Sequence, residues 1–294
     1  MLFLFFIIRN SDRSFLYFNL LNWVNMPMSS NYSFSEFART LIPQSVTVFN
    51  PIIISLVGGG GKTQLLYRLA SEYKHLGHRV CVTTTTKMYF PNASELDLVT
   101  DWRSHKALPS SGITFVYHQS LAPTEDDPAT KVLGLSNEQI ESLKQQCLYS
   151  IFIVEADGSH RLPIKAPARH EPCIPTHSNV VIGVTGADPI LRPANPKAIH
   201  RWNEFSMLTK CNAGTVIDKE QIQALVTSNQ GLFKGCSEQQ QKVWVINRFD
   251  LASDKTQLTE LAKQIFDEEP RLTQLAITQM TAERPIHHIF NRTL

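Results

Sequence analysis

The chain has 294 residues, 43% of them hydrophobic and 18% charged, with a formal net charge of +2. That balance excludes wholesale disorder and predicts a substantial core, in one large α/β domain or a core domain with a smaller lobe. The near-neutral charge, with no long Lys/Arg run, argues against nucleic-acid binding.

Residues 1–45 read as an N-terminal extension. The run MLFLFFII is eight apolar residues before Arg9, well short of the roughly 20 that a membrane span needs. It lacks a basic flank and a small-residue cleavage site, so neither stable membrane insertion nor a secretory signal is expected. An over-long start, with Met26 or Met28 as initiator, is the preferred reading. Residues 46–294 are expected to form the domain proper.

The stretch IIISLVGGGGKT, Ile52–Thr63, is a buried-type strand running into four glycines, a lysine and a threonine. Glycine N–H groups can turn inward around a phosphate, a lysine adds a point charge, and a threonine hydroxyl can ligate Mg²⁺. The helix that follows aims its positive N-terminus at the same anion. The pattern G-x-x-x-x-G-K-[ST] would need glycine at position 56, where Leu56 stands. Counted from Gly58 the loop is G-x-x-G-K-T, two residues shorter, the spacing of Mur-type ligases. A plain glycine-rich strand-to-helix turn is the bland alternative. Downstream, Leu65, Leu66, Leu69, Ala70 and Tyr73 form one helical stripe, with Gly77 as the stop.

Further strands are expected at Arg79–Thr84, Ile113–Tyr117, Ser150–Glu155, Asn179–Val184 and Lys242–Asn247. Helices are expected at Lys62–Leu76, Asn137–Leu148, Lys219–Thr227 and Asp254–Phe266, with Ser136 and Gln139 as a capping box. The alternation predicts an α/β, P-loop NTPase-like three-layer fold with a mostly parallel sheet. Two segments break the rhythm as long insert loops: the Pro-rich residues 158–176 and the stretch 186–213. Five scattered cysteines without a Cys-x-x-Cys pair suit a reducing cytoplasm.

Four constellations carry candidate chemistry. Glu155 and Asp157 close an apolar strand, two residues apart, where both carboxylates can face one metal; a solvated acidic turn is the alternative. With Lys62 they are the candidate catalytic groups, and with Thr63 the candidate Mg²⁺ ligands. Gly58, Gly59, Gly60, Gly61, Lys62, Thr63 and Gln64 would hold the phosphates of GTP or ATP. Thr86 and Lys87 follow a threonine-rich strand as a switch-like contact to phosphate, Mg²⁺ or substrate, although threonine is also an ordinary strand residue. Asn247 and Asp250, in N-R-x-D after a strand, resemble the base-reading N-K-x-D of GTPases; a capping Asp is the alternative, and GTP is slightly preferred over ATP. Arg161, Lys165 and His170 form a local cationic cluster for an anionic substrate, or else a solvated loop face.

Taken in order, GGGGKT, VTTTTKM, VEADGS, LPIKAPARHEPCIP, VVIGVTGAD, GLFKG and INRFD resemble the accessory protein family of selenium-dependent molybdenum hydroxylases, often called YqeC-like. The resemblance runs from about Ile52 to Asp250. It implies a nucleotide-binding accessory protein for hydroxylase maturation, partnered with a molybdenum hydroxylase or the enzyme that modifies its cofactor. Mg²⁺-dependent hydrolysis of the nucleotide is the first reading. A kinase or Mur-like ligase acting on a small anionic substrate, and a nucleotide-binding partner without turnover, are the alternatives.

Overall fold

A computed structural model describes residues 33–91, 93–104, 111–123 and 129–292. The expectations for the first 25 residues lie outside these. The apolar runs that read as strands assemble because each is hydrophobic on both faces and is covered by helices on both. In chain order the strands are β1 (Ile52–Gly58), β2 (Arg79–Thr84), β3 (Lys87–Tyr89), β4 (Leu98–Asp101), β5 (Gly112–Tyr117), β6 (Gln119–Leu121) and β7 (Lys131–Leu133). They continue with β8 (Ile151–Glu155), β9 (Ile164–Lys165), β10 (Val180–Gly186), β11 (Ile199–His200), β12 (Gln241–Asn247), β13 (Leu272–Thr278) and β14 (Ile286–Asn291). The helices are α1 (Phe34–Thr40), α2 (Lys62–His75), α3 (Asn137–Gln145), α4 (Trp202–Thr209), α5 (Lys219–Thr227) and α6 (Lys255–Glu268).

Nine strands form one sheet in the order β14-β13-β12-β10-β1-β8-β2-β5-β4. Every neighbouring pair is parallel except β13–β14. The chain winds from β1 outward to β2, β5 and β4, then returns to place β8 and β10 on either side of β1. The strand order reverses there, and the carboxyl ends beside such a reversal form the crevice where ligands bind in open α/β sheets. Two small sheets, β3-β7-β6 and β9-β11, are built from the connections.

The period-2 alternation of β1 divides the core. Ile52, Ile54 and Leu56 pack with α1 and α2, whereas Ile53 faces α3 and Val57 faces α4, α5 and α6. The α2 stripe Leu65, Leu66, Leu69, Ala70 and Tyr73 is fully buried, and each large apolar side chain so buried contributes about 1.5–3 kcal/mol. The Ser136–Gln139 capping box forms, and Gly77 takes φ +87° just past the end of α2.

Several elements were not expected. Helix α1 falls within the stretch 1–45 set apart in the sequence reading, yet Phe34, Phe37, Ala38 and Leu41 join the core, and Tyr73 donates to the Ala38 carbonyl at 2.9 Å. The described domain therefore begins before residue 46. Helix α4 interrupts the second insert loop. Its N-cap, Arg201, sits in the left-handed region without a side-chain cap bond, so no ordinary start signal marks it. Strands β13 and β14 extend the sheet through segments too mixed in polarity to read as buried strands. Helix α3 ends at Gln145, three residues earlier than expected, where Cys147 turns to φ +53°.

Candidate functional site

The glycine loop connects β1 to α2 at the carboxyl edge of the sheet. Gly58 and Gly60 take φ +95° and +81°, and a Cβ on Gly60 would lie 2.3 Å from the Gly186 nitrogen. A side chain is thus excluded at Gly60 both by backbone conformation and by the close approach of β10.

The loop's amides divide into two groups. Gly58 N–H donates to both carboxylate oxygens of Asp157 at 3.1 Å. Gly59 N–H donates to the Val184 carbonyl (2.9 Å) and Gly60 N–H to the Leu162 carbonyl (3.0 Å). Among the described residues, the amides of Gly61, Lys62, Thr63 and Gln64 meet no protein acceptor. These four exposed dipoles open a 14-residue helix, the arrangement that attracts an anion.

Lys62 is buried. Its Nζ donates to the Gly58 carbonyl (2.5 Å) and lies 3.0 Å from Asp157 Oδ1, folded across the loop. Register places Glu155 of β8 opposite Leu56 of β1, so the acidic strand end arrives beside the glycines. Thr63 Oγ1 donates to Glu155 Oε2 at 2.8 Å. Burial raises the Glu155 carboxyl above its ordinary range, while the Lys62 ammonium and the Thr63 hydroxyl oppose that rise.

The two acids therefore stand in different surroundings. Glu155 and Thr63 together offer oxygen donors that suit Mg²⁺, which keeps several waters and takes few protein ligands. Asp157, expected beside them as a metal ligand, has its oxygens on the Gly58 amide, Lys62 and Lys165 (3.1 Å from Oδ2). Among the described residues no group of three or more His, Cys, Asp or Glu is arranged to hold a metal.

Lys165 is not on an open cationic face as the sequence suggested. It is 1% exposed, pairs with Asp157 and with Glu171 Oε1 (3.0 Å), and donates to the Gly158 carbonyl (2.5 Å). Glu171 in turn accepts from the Ala168 amide and lies 3.5 Å from Arg201 Nε. Burial alone would push the Glu171 carboxyl up, but Lys165 and the Ala168 amide hold it below its usual range. The result is an alternating chain of charge from Lys62 through Asp157, Lys165 and Glu171 to Arg201. Sequence reasoning missed Glu171 and the Leu162 carbonyl, whereas the His200-Arg201 pair reads in the sequence as a second, weaker cationic case. Arg161 stays exposed and stacks on Tyr89, 4.8 Å from the ring centroid, and His170 is exposed on a turn. The three expected substrate residues thus separate.

Asn247 ends β12 beside the loop, 1% exposed. Its Nδ2 donates to the Gly60 carbonyl (2.8 Å), and its Oδ1 accepts from Met280 N–H (2.9 Å) and Thr278 Oγ1 (3.2 Å). It clamps the loop to β12 and to the end of β13. Asp250 is exposed, while Arg248 turns to φ +64° and pairs with Asp188 at 3.3 Å. Thr86 stays at the turn after β2, its amide donating to Thr84 Oγ1 (3.1 Å). Lys87 is exposed at the start of β3, its ammonium without an ion pair or hydrogen bond among the described residues.

An α/β protein with a nine-stranded, mostly parallel sheet and a glycine-rich strand-to-helix turn at its reversal point is what fold and site define. The family profile described as "YqeC protein" matches residues 54–203, which span β1 through the start of α4. The chain is similar to the Uncharacterized protein YqeC of Escherichia coli (strain K12), at 36% identity over 219 residues, covering 73% of this chain and 83% of that one. It belongs to the YqeC family. No helix among the described residues is long and apolar enough to cross a membrane.

Proposed function

We propose that this chain binds the Mg²⁺ complex of a nucleoside triphosphate at residues 58–64 and hydrolyses it. The observation that carries this reading is the set of unengaged amides at Gly61–Gln64 beside the folded-back Lys62. A phosphate offers those amides their missing acceptors and offers Lys62 a stronger partner than a backbone carbonyl. Thr63 and Glu155 would hold the Mg²⁺, which when bound neutralises charge developing on the phosphate oxygens. In hydrolysis a water oxygen bonds to the γ-phosphorus while the bond to the β,γ-bridging oxygen breaks. Lys62 would stabilise the charge gathering on that bridge. Asp250, exposed beyond β12, is the candidate base reader, with GTP slightly preferred over ATP.

A second reading, an ATP-dependent kinase or Mur-like ligase acting on a small anion, is favoured by the short loop, whose Gly60 amide is taken by Leu162. The accessory role rests on the family resemblance read in the sequence. In it, nucleotide state gates maturation of a selenium-dependent molybdenum hydroxylase in the cytoplasm, with that hydroxylase or its cofactor-modifying enzyme as partner. Titration calorimetry with ATP, GTP and their non-hydrolysable analogues tests the core of the proposal. Mg²⁺-enhanced binding that disappears in Lys62→Ala is expected. A wild-type chain that binds neither nucleotide, with or without Mg²⁺, refutes it.

A further inference from the structure

Two loop segments some 40 residues apart in sequence meet beside the glycine loop. The strap that follows Asp157 forms β9, which pairs in parallel with β11, so that Ile164 lies against Ile199 and Lys165 against His200. This pairing stacks the His160 and His200 rings, with centroids 4.5 Å apart and planes 28° from parallel. Arg161 and Arg201 are the next residues along each segment.

The cluster has two properties that packing alone does not explain. First, His160, Arg161 and Arg201 all take left-handed backbone conformations, at φ +50°, +63° and +63°. A non-glycine residue in this region is uncommon, such strain costs on the order of 1–3 kcal/mol each, and it concentrates at functional sites. Secondly, the charge is one-sided. Among the described residues Glu171 is the single carboxylate paired with any of residues 160, 161, 200 and 201, through Arg201, and it is shared with Lys165. Arg201 Nε is buried and makes no hydrogen bond among the described residues, facing Glu171 Oε2 across 3.5 Å. Among the described residues His160 and Arg161 have no acidic partner. Burial, together with Lys165, His160 and Arg201, pushes the His200 imidazole down to about 4, against the pull of Glu171. Stacked imidazoles, a guanidinium whose Nε meets its carboxylate only across 3.5 Å and a second guanidinium alongside leave donors for a further anion.

The strap also touches the glycine loop directly. Leu162 accepts from Gly60 N–H, and Pro163 accepts from Gly186 N–H at 2.7 Å. On its other side, two residues before Leu162, it presents His160.

We propose that the surface formed by residues 160–161 and 200–201 is a second binding site, which takes the carboxylate or phosphate group of a small-molecule anion that reacts or is released in step with the nucleotide. The inference rests on the nucleotide reading for the word "second" but not for the site itself. Arg201 and the two histidines hold the anionic group, and Arg161, braced on Tyr89, covers its outer edge.

The test uses the full chain, with histidine side-chain NMR and inorganic sulfate, a dianion that does not titrate in the working range. A non-hydrolysable GTP analogue with Mg²⁺ is kept saturating so that the glycine loop is filled. Sulfate is expected to shift the His160 and His200 resonances saturably, and to raise the His200 titration midpoint by at least one pH unit over chloride at matched ionic strength. In Arg201→Asn the half-saturating sulfate concentration should rise about tenfold, since asparagine tolerates both the left-handed conformation and the N-cap of α4. His160→Asn gives a second variant with the same backbone tolerance. Identical titrations in sulfate and chloride overturn the proposal, as does an unchanged sulfate response in both variants. If the chain binds no nucleotide yet shows the sulfate response, the site stands and the nucleotide reading falls; nucleotide binding without a sulfate response does the reverse.

Discussion

Lys165→Met removes the centre of the buried charge chain while nearly keeping its volume. Lys165 is 1% exposed and contacts Asp157 (3.1 Å), Glu171 (3.0 Å) and the Gly158 carbonyl (2.5 Å). Removing one partner from a buried ion pair costs about 3–5 kcal/mol, because the other charge is left uncompensated. The lower end applies here, since Asp157 keeps Lys62 and the Gly58 amide, while Glu171 keeps the Ala168 amide and Arg201. A domain of this size shifts its Tm by about 2–4 °C per kcal/mol, so a fall of about 6–12 °C is expected at pH 7 by circular dichroism. The pH dependence has a definite sign. In the wild type the Glu171 carboxyl is held below its ordinary range despite burial. Its contribution is therefore present above the unfolded carboxylate value and is lost as pH falls through the folded one. The gap between the two proteins should accordingly narrow below about pH 4. A variant that melts within about 2 °C of the wild type at pH 7, less than a single kcal/mol, refutes the view that Lys165 closes this network.

Lys62→Ala should keep its fold, because Asp157 retains Lys165, and should lose nucleotide binding at least tenfold to hundredfold, as removal of a charged hydrogen bond worth about 1.5–3 kcal/mol requires; calorimetry at fixed Mg²⁺ reads this. Glu155→Gln should slow Mg²⁺-dependent phosphate release while leaving nucleotide affinity in EDTA little changed. Asp157→Asn should strengthen affinity in EDTA, because the phosphate no longer competes with a carboxylate for Lys62. Equal effects of the two substitutions in a coupled phosphate assay would mean that the acids do not divide their work. Asn247→Ala should lower ATP and GTP affinity alike and lower the Tm, since it removes three hydrogen bonds that fix the loop. Asp250→Asn should weaken GTP by about tenfold to hundredfold, improve XTP and spare ATP; a wild type that prefers ATP strongly removes Asp250 from base reading.

The parts legible in sequence were those whose cause is local. Seven consecutive buried positions make β1, the glycines that follow can serve only a turn that side chains would block, and Ser136–Gln139 caps α3 through contacts three residues apart. The acidic pair after β8 was legible for the same reason, as a strand end with two carboxylates. What each carboxylate does was not. Asp157 finds its partners nearly a hundred positions upstream in Gly58 and Lys62, and also eight positions downstream in Lys165, a pairing that no periodicity reports. Lys165 read as a loop cation because its neighbours are prolines, yet the parallel pairing of β9 with β11 buries it. Arg201 starts a helix from a left-handed position where the usual Ser, Thr, Asp or Asn signal is absent. Asn247 was found by its motif, but its contacts with Gly60 and Met280 make it first a clamp on the loop.

The arrangement ties the two candidate sites to one acid. Asp157 has two oxygens and two lysines, with Lys62 on Oδ1 and Lys165 on Oδ2. In the proposed reading, a phosphate entering the loop competes for Lys62 with a carboxylate that already holds it at 3.0 Å. The incoming anion carries more charge and also satisfies the Gly61–Gln64 amides, so the competition favours the phosphate. Asp157 then depends more heavily on Lys165, and Lys165 gives correspondingly less to Glu171. Glu171 is the sole paired carboxylate described beside Arg201, so a weaker hold on it frees the carboxylate to engage the Arg201 guanidinium more closely. That alters how much positive charge stands beside the stacked His160 and His200 rings. Nothing needs to move far for this to happen, since each link is a salt bridge of 3.0–3.5 Å that shifts its balance between two partners. A buried chain of alternating charge is poor as a source of stability, because desolvation offsets most of its attraction. As a means of making occupancy at one end felt at the other, it has the properties required: contiguous contacts and, from Lys62 to Glu171, a buried path of low local dielectric.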